Sequence, residues 1–178
     1  YGGFNKISFK PGGAFSIKPI LIKKLTQKKL NKNLVLLYTG FKRTAHNIAN
    51  TYVDKLQKTK KNHILEILQL VKEAENVLKA DDLVGFPKLL HESWLAKRSL
   101  SSSITNSKID EIYNDAINNG ALGGKLLGAG GGGFFLFYVP YSRQKYFVNY
   151  FRKLINVPFK FSSEGSKIMF KNIDKKID

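Results

Sequence analysis

Cysteine is absent from this chain, and methionine and tryptophan occur once each. Without cysteine there is no disulfide scaffold and no thiolate metal site. Acidic residues are scarce: 13 Asp and Glu stand against 30 Lys and Arg, for a formal net charge of +17. No apolar run approaches the roughly 20 residues of a membrane span. The densest, Phe134 to Val139, has the length of a strand. A signal-peptide pattern and an initiating methionine are both missing, so the chain is expected to begin inside a longer one. A cytoplasmic setting fits these absences. His46, His63 and His91 lack the spacing of a zinc site.

What is present suits a globular domain. The 178 residues, 43% of them apolar, suffice for one buried core. The positive charge has two readings: an anionic partner, or a solvated lysine-rich surface. Lys far outnumbers Arg, whose planar fork is the better reader of phosphates and bases. The charge is also unclustered, which favours the surface reading.

Phe4, Ile7 and Phe9 lead into the turn signal Lys10-Pro11-Gly12-Gly13, and Phe15, Ile17, Ile20 and Ile22 lead out, as two short strands do. The polar stretch Gln27 to Asn33 marks a candidate boundary. Leu34 to Tyr38 reads as a strand buried on both faces and ended by Thr39-Gly40. Helical spacing then recurs over Ala45 to Leu56, Ile64 to Leu78, Leu83 to Trp94 and Ser107 to Ile117. Asp81 and Asp82 are expected to cap the third helix, with Pro87 in its first turn, and Asn118-Asn119-Gly120 to close the fourth. Phe134 to Val139 is a second buried strand. Pro140 ends it, and Ser142 is expected to cap a helix carrying Phe147, Tyr150, Phe151 and Leu154. Val157 to Ser162 and Lys167 to Phe170 read as two more strands, joined at Glu164-Gly165. No internal repeat is evident. The order implies an α+β fold, helices layered on a small sheet.

Glycine crowds positions 123 to 133. Glycine loses the most entropy on folding, so the crowding needs a cause, such as close approach of backbone N–H groups to an anion. Gly128, Gly130 and Gly133 satisfy G-x-G-x-x-G. A dinucleotide fingerprint follows a strand and opens a helix, whereas this segment reads as following a helix and entering a strand. A Walker loop fails too, because Leu126 follows Gly124-Lys125 and Asn119 stands where its first Gly belongs.

The stretch from Gly123 through Lys125, Gly128-Ala129-Gly130-Gly131-Gly132-Gly133 and Phe134 resembles the third conserved motif of the GHMP kinases (galactokinase, homoserine kinase, mevalonate kinase, phosphomevalonate kinase). Tyr1-Gly2-Gly3-Phe4-Asn5 resembles the segment that follows their catalytic Asp. Leu37-Tyr38-Thr39-Gly40, with Arg43 nearby, resembles the strand opening their second domain. Leu90-His91-Glu92-Ser93-Trp94-Leu95, Lys97-Arg98-Ser99-Leu100-Ser101, Ile109-Asp110-Glu111-Ile112-Tyr113 and Val157-Pro158-Phe159 resemble the sugar-phosphate subgroup, which includes heptose-phosphate kinases.

The resemblance implies a two-domain kinase that transfers the γ-phosphoryl group of ATP, with Mg²⁺, to a sugar hydroxyl. This chain would supply the ferredoxin-like C-terminal domain, a small, mainly antiparallel sheet with helices packed on it, over residues 34–178. Residues 1–33 would be residual strands of a missing N-terminal domain, mobile or paired with a second copy of the chain. That domain would carry the ATP phosphate loop and the catalytic Asp. Neither occurs here, so no catalytic residue is assigned and the chain alone is expected to be inactive. Lys125, Gly128, Ala129, Gly130, Gly131, Gly132 and Gly133 would line the nucleotide and substrate. Gly2, Gly3, Arg43, Lys97 and Arg98 would hold the substrate, a phosphorylated sugar such as a heptose 7-phosphate. No metal ligand is expected from this chain, and no membrane partner. His91, Trp94, Asp81, Asp82, Asp110 and Glu111 read as packing, capping or helix-dipole residues. The rivals are another GHMP kinase, of the fucose or mevalonate type, and a basic nucleic-acid-binding module, for which no RNA- or DNA-binding signature is visible.

Overall fold

A computed structural model of the chain describes residues 1–41, 48, 50, 51 and 60–169. The helical pattern expected over Ala45 to Leu56 lies almost wholly outside the described residues, as does Arg43. The chain divides into two compact units: Tyr1–Leu21 with the residues from Lys160 onward, and Ile22–Phe159.

The smaller unit holds the expected hairpin. Strands β1 (Asn5–Phe9) and β2 (Phe15–Pro19) pair antiparallel, with Asn5 opposite Pro19 and Phe9 opposite Phe15. Pro11–Gly13 makes the turn, closed by a 2.8 Å bond from Lys10 N–H to the Ala14 carbonyl. Gly3 N–H donates to the Ser162 carbonyl at 2.8 Å, and the Phe4 ring meets Phe161 edge-on with centroids 4.7 Å apart. Gly2 lies so close to the backbone of Ser163 and Glu164 that a Cβ there would stand 2.2 Å from the Glu164 carbonyl carbon. Ile7, Phe9 and Phe15 remain largely exposed.

The larger unit is an α+β layer. In chain order it contains α1 (Lys24–Asn33), β3 (Leu34–Tyr38), α2 (Lys61–Lys79), α3 (Phe86–Arg98), α4 (Ser107–Asn118), β4 (Gly123–Leu126), β5 (Phe134–Tyr138), α5 (Tyr141–Tyr150) and β6 (Ile155–Asn156). The sheet runs β4-β5-β3-β6 and every pairing is antiparallel. The two apolar runs are its central strands, with Leu34 opposite Tyr138 and Tyr38 opposite Phe134. One face, with Val35, Leu37, Phe135 and Phe137, is buried in the core; on the other, Leu34 and Tyr138 are buried at one end of the pair and Phe134 is exposed at the other. Trp94 of α3, Ile109 and Tyr113 of α4 and Phe147 of α5 complete the core. Offset and edge-on ring pairs link Trp94, Tyr113, Phe135, Phe137 and Phe147 at centroid separations of 5.0–6.1 Å.

Several local expectations are corrected. Gln27 to Asn33, read as a polar stretch, is helical: Thr26 and Leu30, one turn apart, bury α1 while its lysines face out. Asp82 does not cap α3. Its carboxylate accepts from Val84 N–H at 3.0 Å in a turn before Gly85, the N-cap. Asp81 adopts φ 58° and binds Thr26 and Lys23 instead. Asn106 caps α4, accepting from Ile109 N–H at 3.0 Å, so Ser107 is its first residue. Gly120, at φ 109°, closes that helix as expected; Ala121 N–H reaches the Ala116 carbonyl at 2.9 Å. Ser142 lies inside α5, whose first N–H, that of Tyr141, is accepted by the Asn33 side chain at 2.9 Å. Val157 to Ser162 and Lys167 to Met169 are not strands. Val157 makes one more bond to Leu36, and Pro158 then has no N–H with which to extend the ladder.

Among the described residues, no helix is long and apolar enough to cross a membrane, and no three His, Cys, Asp or Glu side chains converge as a metal site would require.

Candidate functional site

The glycine segment differs from its sequence reading in one respect. Its first residues are strand β4, so the glycine-rich turn 127–133 joins two strands rather than a helix and a strand. Gly123 and Gly124 serve packing. A Cβ on Gly123 would stand 2.0 Å from the Pro87 carbonyl oxygen, and one on Gly124 would stand 2.2 Å from the Phe137 ring. Their bareness lets α3 lie directly on the edge strand.

The turn itself is laced inward at two points. Gly131 N–H donates to the Ile104 carbonyl at 2.7 Å. Gly133 N–H donates to the Phe41 carbonyl at 3.0 Å and to Thr39 Oγ1 at 3.1 Å, and Thr39 N–H returns a 2.8 Å bond to the Gly133 carbonyl. Gly131 holds φ 73°, in the left-handed region that side chains disfavour. A Cβ on Gly130 would strike Ile104 at 2.9 Å. Among the described residues nothing accepts from the N–H groups of Gly128 and Ala129, at the outer end of the turn.

Two lysines stand beneath that end. Lys97, in the last turn of α3, donates to the carbonyls of Leu126 at 3.1 Å and Gly128 at 2.5 Å. Lys125 of β4 donates to Ser93 Oγ at 2.5 Å. Ser93 and Lys97 are four residues apart on one helix face. Burial pulls the Lys97 ammonium down to about 8, helped by the positive charge of Lys125. Burial also lowers Lys125. Desolvation disfavours the charged form of both amines.

The other expected residues are placed as follows. Arg98 turns to α4: its Nη2 lies 3.0 Å from Asp110 Oδ1, which also accepts from Thr105 Oγ1 at 2.6 Å, and its guanidinium sits 5.7 Å from the Trp94 ring centre. It is a strut between two helices. Gly2 and Gly3 belong to the smaller unit, and Arg43 lies outside the described residues. The structure thus gathers Lys97, Lys125 and the glycine turn. His91 is packed, with Nδ1 2.6 Å from Tyr113 Oη. Burial raises that phenol to about 12, against a Gly124 backbone hydrogen bond and the charge of Arg98. Ser93, Thr39, Phe41 and Ile104 support the site without having been given a site role in the sequence. Only the Ser93–Lys97 spacing offered a signal. Beside Thr39 and Phe41 opens a groove of about 670 Å³, also lined by Lys108, Tyr150 and Arg152.

Residues 70–148 match the family GHMP kinases C terminal. That span runs from within α2 into α5 and contains α3, the whole glycine turn and both lysines. The chain carries a GHMP-kinase C-terminal domain. It is 30% identical over 171 residues to D-glycero-alpha-D-manno-heptose 7-phosphate kinase of Campylobacter jejuni, an alignment covering 94% of this chain and 50% of that protein. It is 31% identical over 103 residues to L-fucokinase/L-fucose-1-P guanylyltransferase of Bacteroides fragilis, covering 56% of this chain and 11% of that one. Among solved structures it superposes on a sugar kinase of Campylobacter jejuni with TM-score 0.64 and 28% identity, over 93% of this chain and 47% of that one. The fold alone is shared with L. major mevalonate kinase, at TM-score 0.74 and 19% identity over 92% of this chain and 51% of the other. The chain spans about half the length, or less, of these relatives.

Proposed function

We propose that the chain is the C-terminal portion of an ATP-dependent sugar-phosphate kinase acting on a heptose 7-phosphate, and that the glycine turn lines its reaction cleft. The observation that carries this reading is the glycine turn itself, where among the described residues nothing accepts from the N–H groups of Gly128 and Ala129 and the Lys97 ammonium holds the Leu126 and Gly128 carbonyls. Phosphoryl transfer spreads negative charge over the equatorial oxygens. Preorganised N–H dipoles and cations stabilise such charge without reorganising. The family match and the similarity to the Campylobacter jejuni heptose phosphate kinase support a kinase and a phosphorylated sugar.

In this reading Lys125 and residues 128–133 face nucleotide and substrate, Lys97 supports them from beneath, and Gly2, Gly3 and Arg43 approach the sugar. Arg98 contributes through α4 rather than by touching substrate. Mg²⁺ would come with the ATP phosphates. The catalytic base and the ATP phosphate loop would come from an N-terminal domain, and the enzyme would be cytoplasmic.

The test is ATP-dependent phosphorylation of D-glycero-D-manno-heptose 7-phosphate by the 178-residue chain and by the same chain joined to whatever its coding sequence places before Tyr1. The expected result is no turnover from the first and turnover from the second. A second reading, a fucose kinase, is favoured by the similarity to the Bacteroides fragilis fucokinase. L-fucose offered beside the heptose phosphate separates the two.

A further inference from the structure

The charge of the chain is sorted by sign. No Asp or Glu occurs in residues 1–53 or 116–163. Helices α1 and α5 fall in those stretches, and they meet: Gln144 Nε2 donates to the Lys32 carbonyl at 2.7 Å, and the Lys32 ammonium lies 3.9 Å from the centre of the Tyr141 ring. Helical spacing sets Tyr141, Lys145, Asn149 and Arg152 in one row along α5 and the turn that follows it. All four are exposed, as is Lys32. Among the described residues no carboxylate pairs with Lys32, Lys145 or Arg152. An open groove of about 870 Å³ follows the row, lined among others by Tyr141, Lys145, Val148 and Arg152 and by no acidic residue.

This surface has no part in the kinase reading. Tyr141 follows the end of the sheet where Leu34 pairs with Tyr138, whereas the glycine turn leaves the end where Tyr38 pairs with Phe134, roughly 14 Å away along the strands. We propose that the surface where α1 meets α5 binds single-stranded nucleic acid, with the phosphodiester backbone along Lys32, Lys145 and Arg152 and a base stacked on Tyr141.

Two features choose this partner over an acidic protein segment or a duplex. Tyr141 is 60% exposed even with Lys32 over one face of its ring. An open tyrosine face suits the π-face of an unpaired base, which a carboxylate lacks and a duplex keeps inside its stack. The row also sets its ring between cations, as a chain that alternates phosphate and base requires. Charge supplies the affinity: on a single strand each neutralised phosphate contributes about 0.7 to the slope of log K against log salt. The lysines elsewhere on the chain act only through a field that 0.1 M salt screens within about 10 Å.

The probe is a fluorescent oligouridylate of about ten nucleotides, within the range of single-strand sites, and its anisotropy reads binding to the 178-residue chain. K145Q/R152Q should weaken binding about tenfold and lower the salt slope by about 1.4, the share of two phosphate contacts. K61Q/K72Q removes the same two charges from exposed positions on α2, among acidic residues, and should leave the slope unchanged. Tyr141→Leu alters no charge and should weaken binding about fivefold or more, the scale of one lost stack. Equal losses in the two double variants would show net charge acting alone and overturn the site. A Kd untouched by Tyr141→Leu would overturn the stacking and with it the choice of nucleic acid. Polyglutamate of matched charge bound as tightly as the oligouridylate would assign the surface to an acidic protein, and phosphatidylserine vesicles bound as tightly would assign it to a membrane; either overturns the proposal, as does the absence of binding. The comparison of these three probes on the unsubstituted chain decides the matter even if a variant fails to fold.

Discussion

The Lys97 ammonium lies 3.1 Å from the Leu126 carbonyl oxygen, so the last turn of a helix holds the point where an edge strand becomes the glycine turn. Helix, strand and turn are coupled through this side chain as well as through the core they share. The consequences differ from residue to residue, and each can be measured.

Gly123 and Gly128 look alike in sequence and should behave differently. A Cβ on Gly123 would stand 2.0 Å from the Pro87 carbonyl oxygen, which is backbone and cannot swing aside. At Gly128 nothing lies within 4 Å, and only its φ of 72° resists a side chain. Gly123→Ala should cost about 2–3 kcal/mol, the scale of overpacking. Gly128→Ala should cost about 1 kcal/mol, the scale of left-handed strain. Urea unfolding of both variants checks the order, and equal losses would mean that α3 does not rest on β4 as described.

Trp94 is fully buried, and among the described residues its Nε1–H has no acceptor. An orphan buried donor costs on the order of 1–3 kcal/mol. Trp94→Phe should therefore cost less than about 1.5 kcal/mol, because the lost volume is offset by removal of the stranded N–H. Trp94→Ala, which only opens a cavity, should cost about 3–5 kcal/mol. Thermal melts of the pair read the difference directly.

Stability should bend twice with alkaline pH. Lys97 is lowered to about 8 in the folded chain, so between that value and its ordinary 10.5 the unfolded chain binds more protons and stability rises with pH. Tyr113 is raised from 10.0 to about 12, so its contribution is full below 10 and is lost as pH climbs toward 12. Each limb should amount to roughly 1–3 kcal/mol. Denaturant melts across this range should show the rise shrink in Lys97→Met, with Lys125 supplying what is left, and the fall soften in Tyr113→Phe. A curve unchanged by either variant would show that neither group is buried as described.

The sheet centre was legible because Leu34 to Tyr38 and Phe134 to Val139 are continuous apolar runs of strand length. The closure of α4 was legible because Asn119-Gly120 has few other uses. Helix α1 was not, since Thr26 and Leu30 bury a helix whose other positions are lysine, asparagine and glutamine. Strand β4 was hidden by its glycines, which look like loop until α3 is seen lying on them. The apolar run after Val157 misled because hydrophobicity alone does not supply the N–H that Pro158 lacks. At the site, the glycine turn announced itself, whereas Lys97 was one lysine in a lysine-rich chain. Its distinction is the pair of carbonyls it meets, which come from residues about 30 positions away along the chain.

The last prediction tests whether the turn acts or merely connects. Gly131 has φ 73°, is buried, and donates its N–H to the Ile104 carbonyl at 2.7 Å. A valine there faces two obstacles. Its β-branched side chain resists positive φ, and relieving that strain would rotate the peptide that bonds Ile104. The neighbouring N–H groups of Gly128 and Ala129 would then be re-aimed. In the chain joined to its upstream sequence, Gly131→Val should lower kcat/KM by about 100-fold or more, the scale of a lost or misplaced charge-stabilising donor, with a melting temperature only slightly reduced. Lys145→Ala on exposed α5 should leave both unchanged within about 0.5 kcal/mol. Steady-state kinetics beside a thermal melt for each variant make the comparison. Near-normal kcat/KM in Gly131→Val would reduce the turn to a connection between β4 and β5. If Gly131→Val melts far below the parent, Gly131→Ala carries the same test, because alanine meets the same φ penalty with no branch to wedge against Ile104.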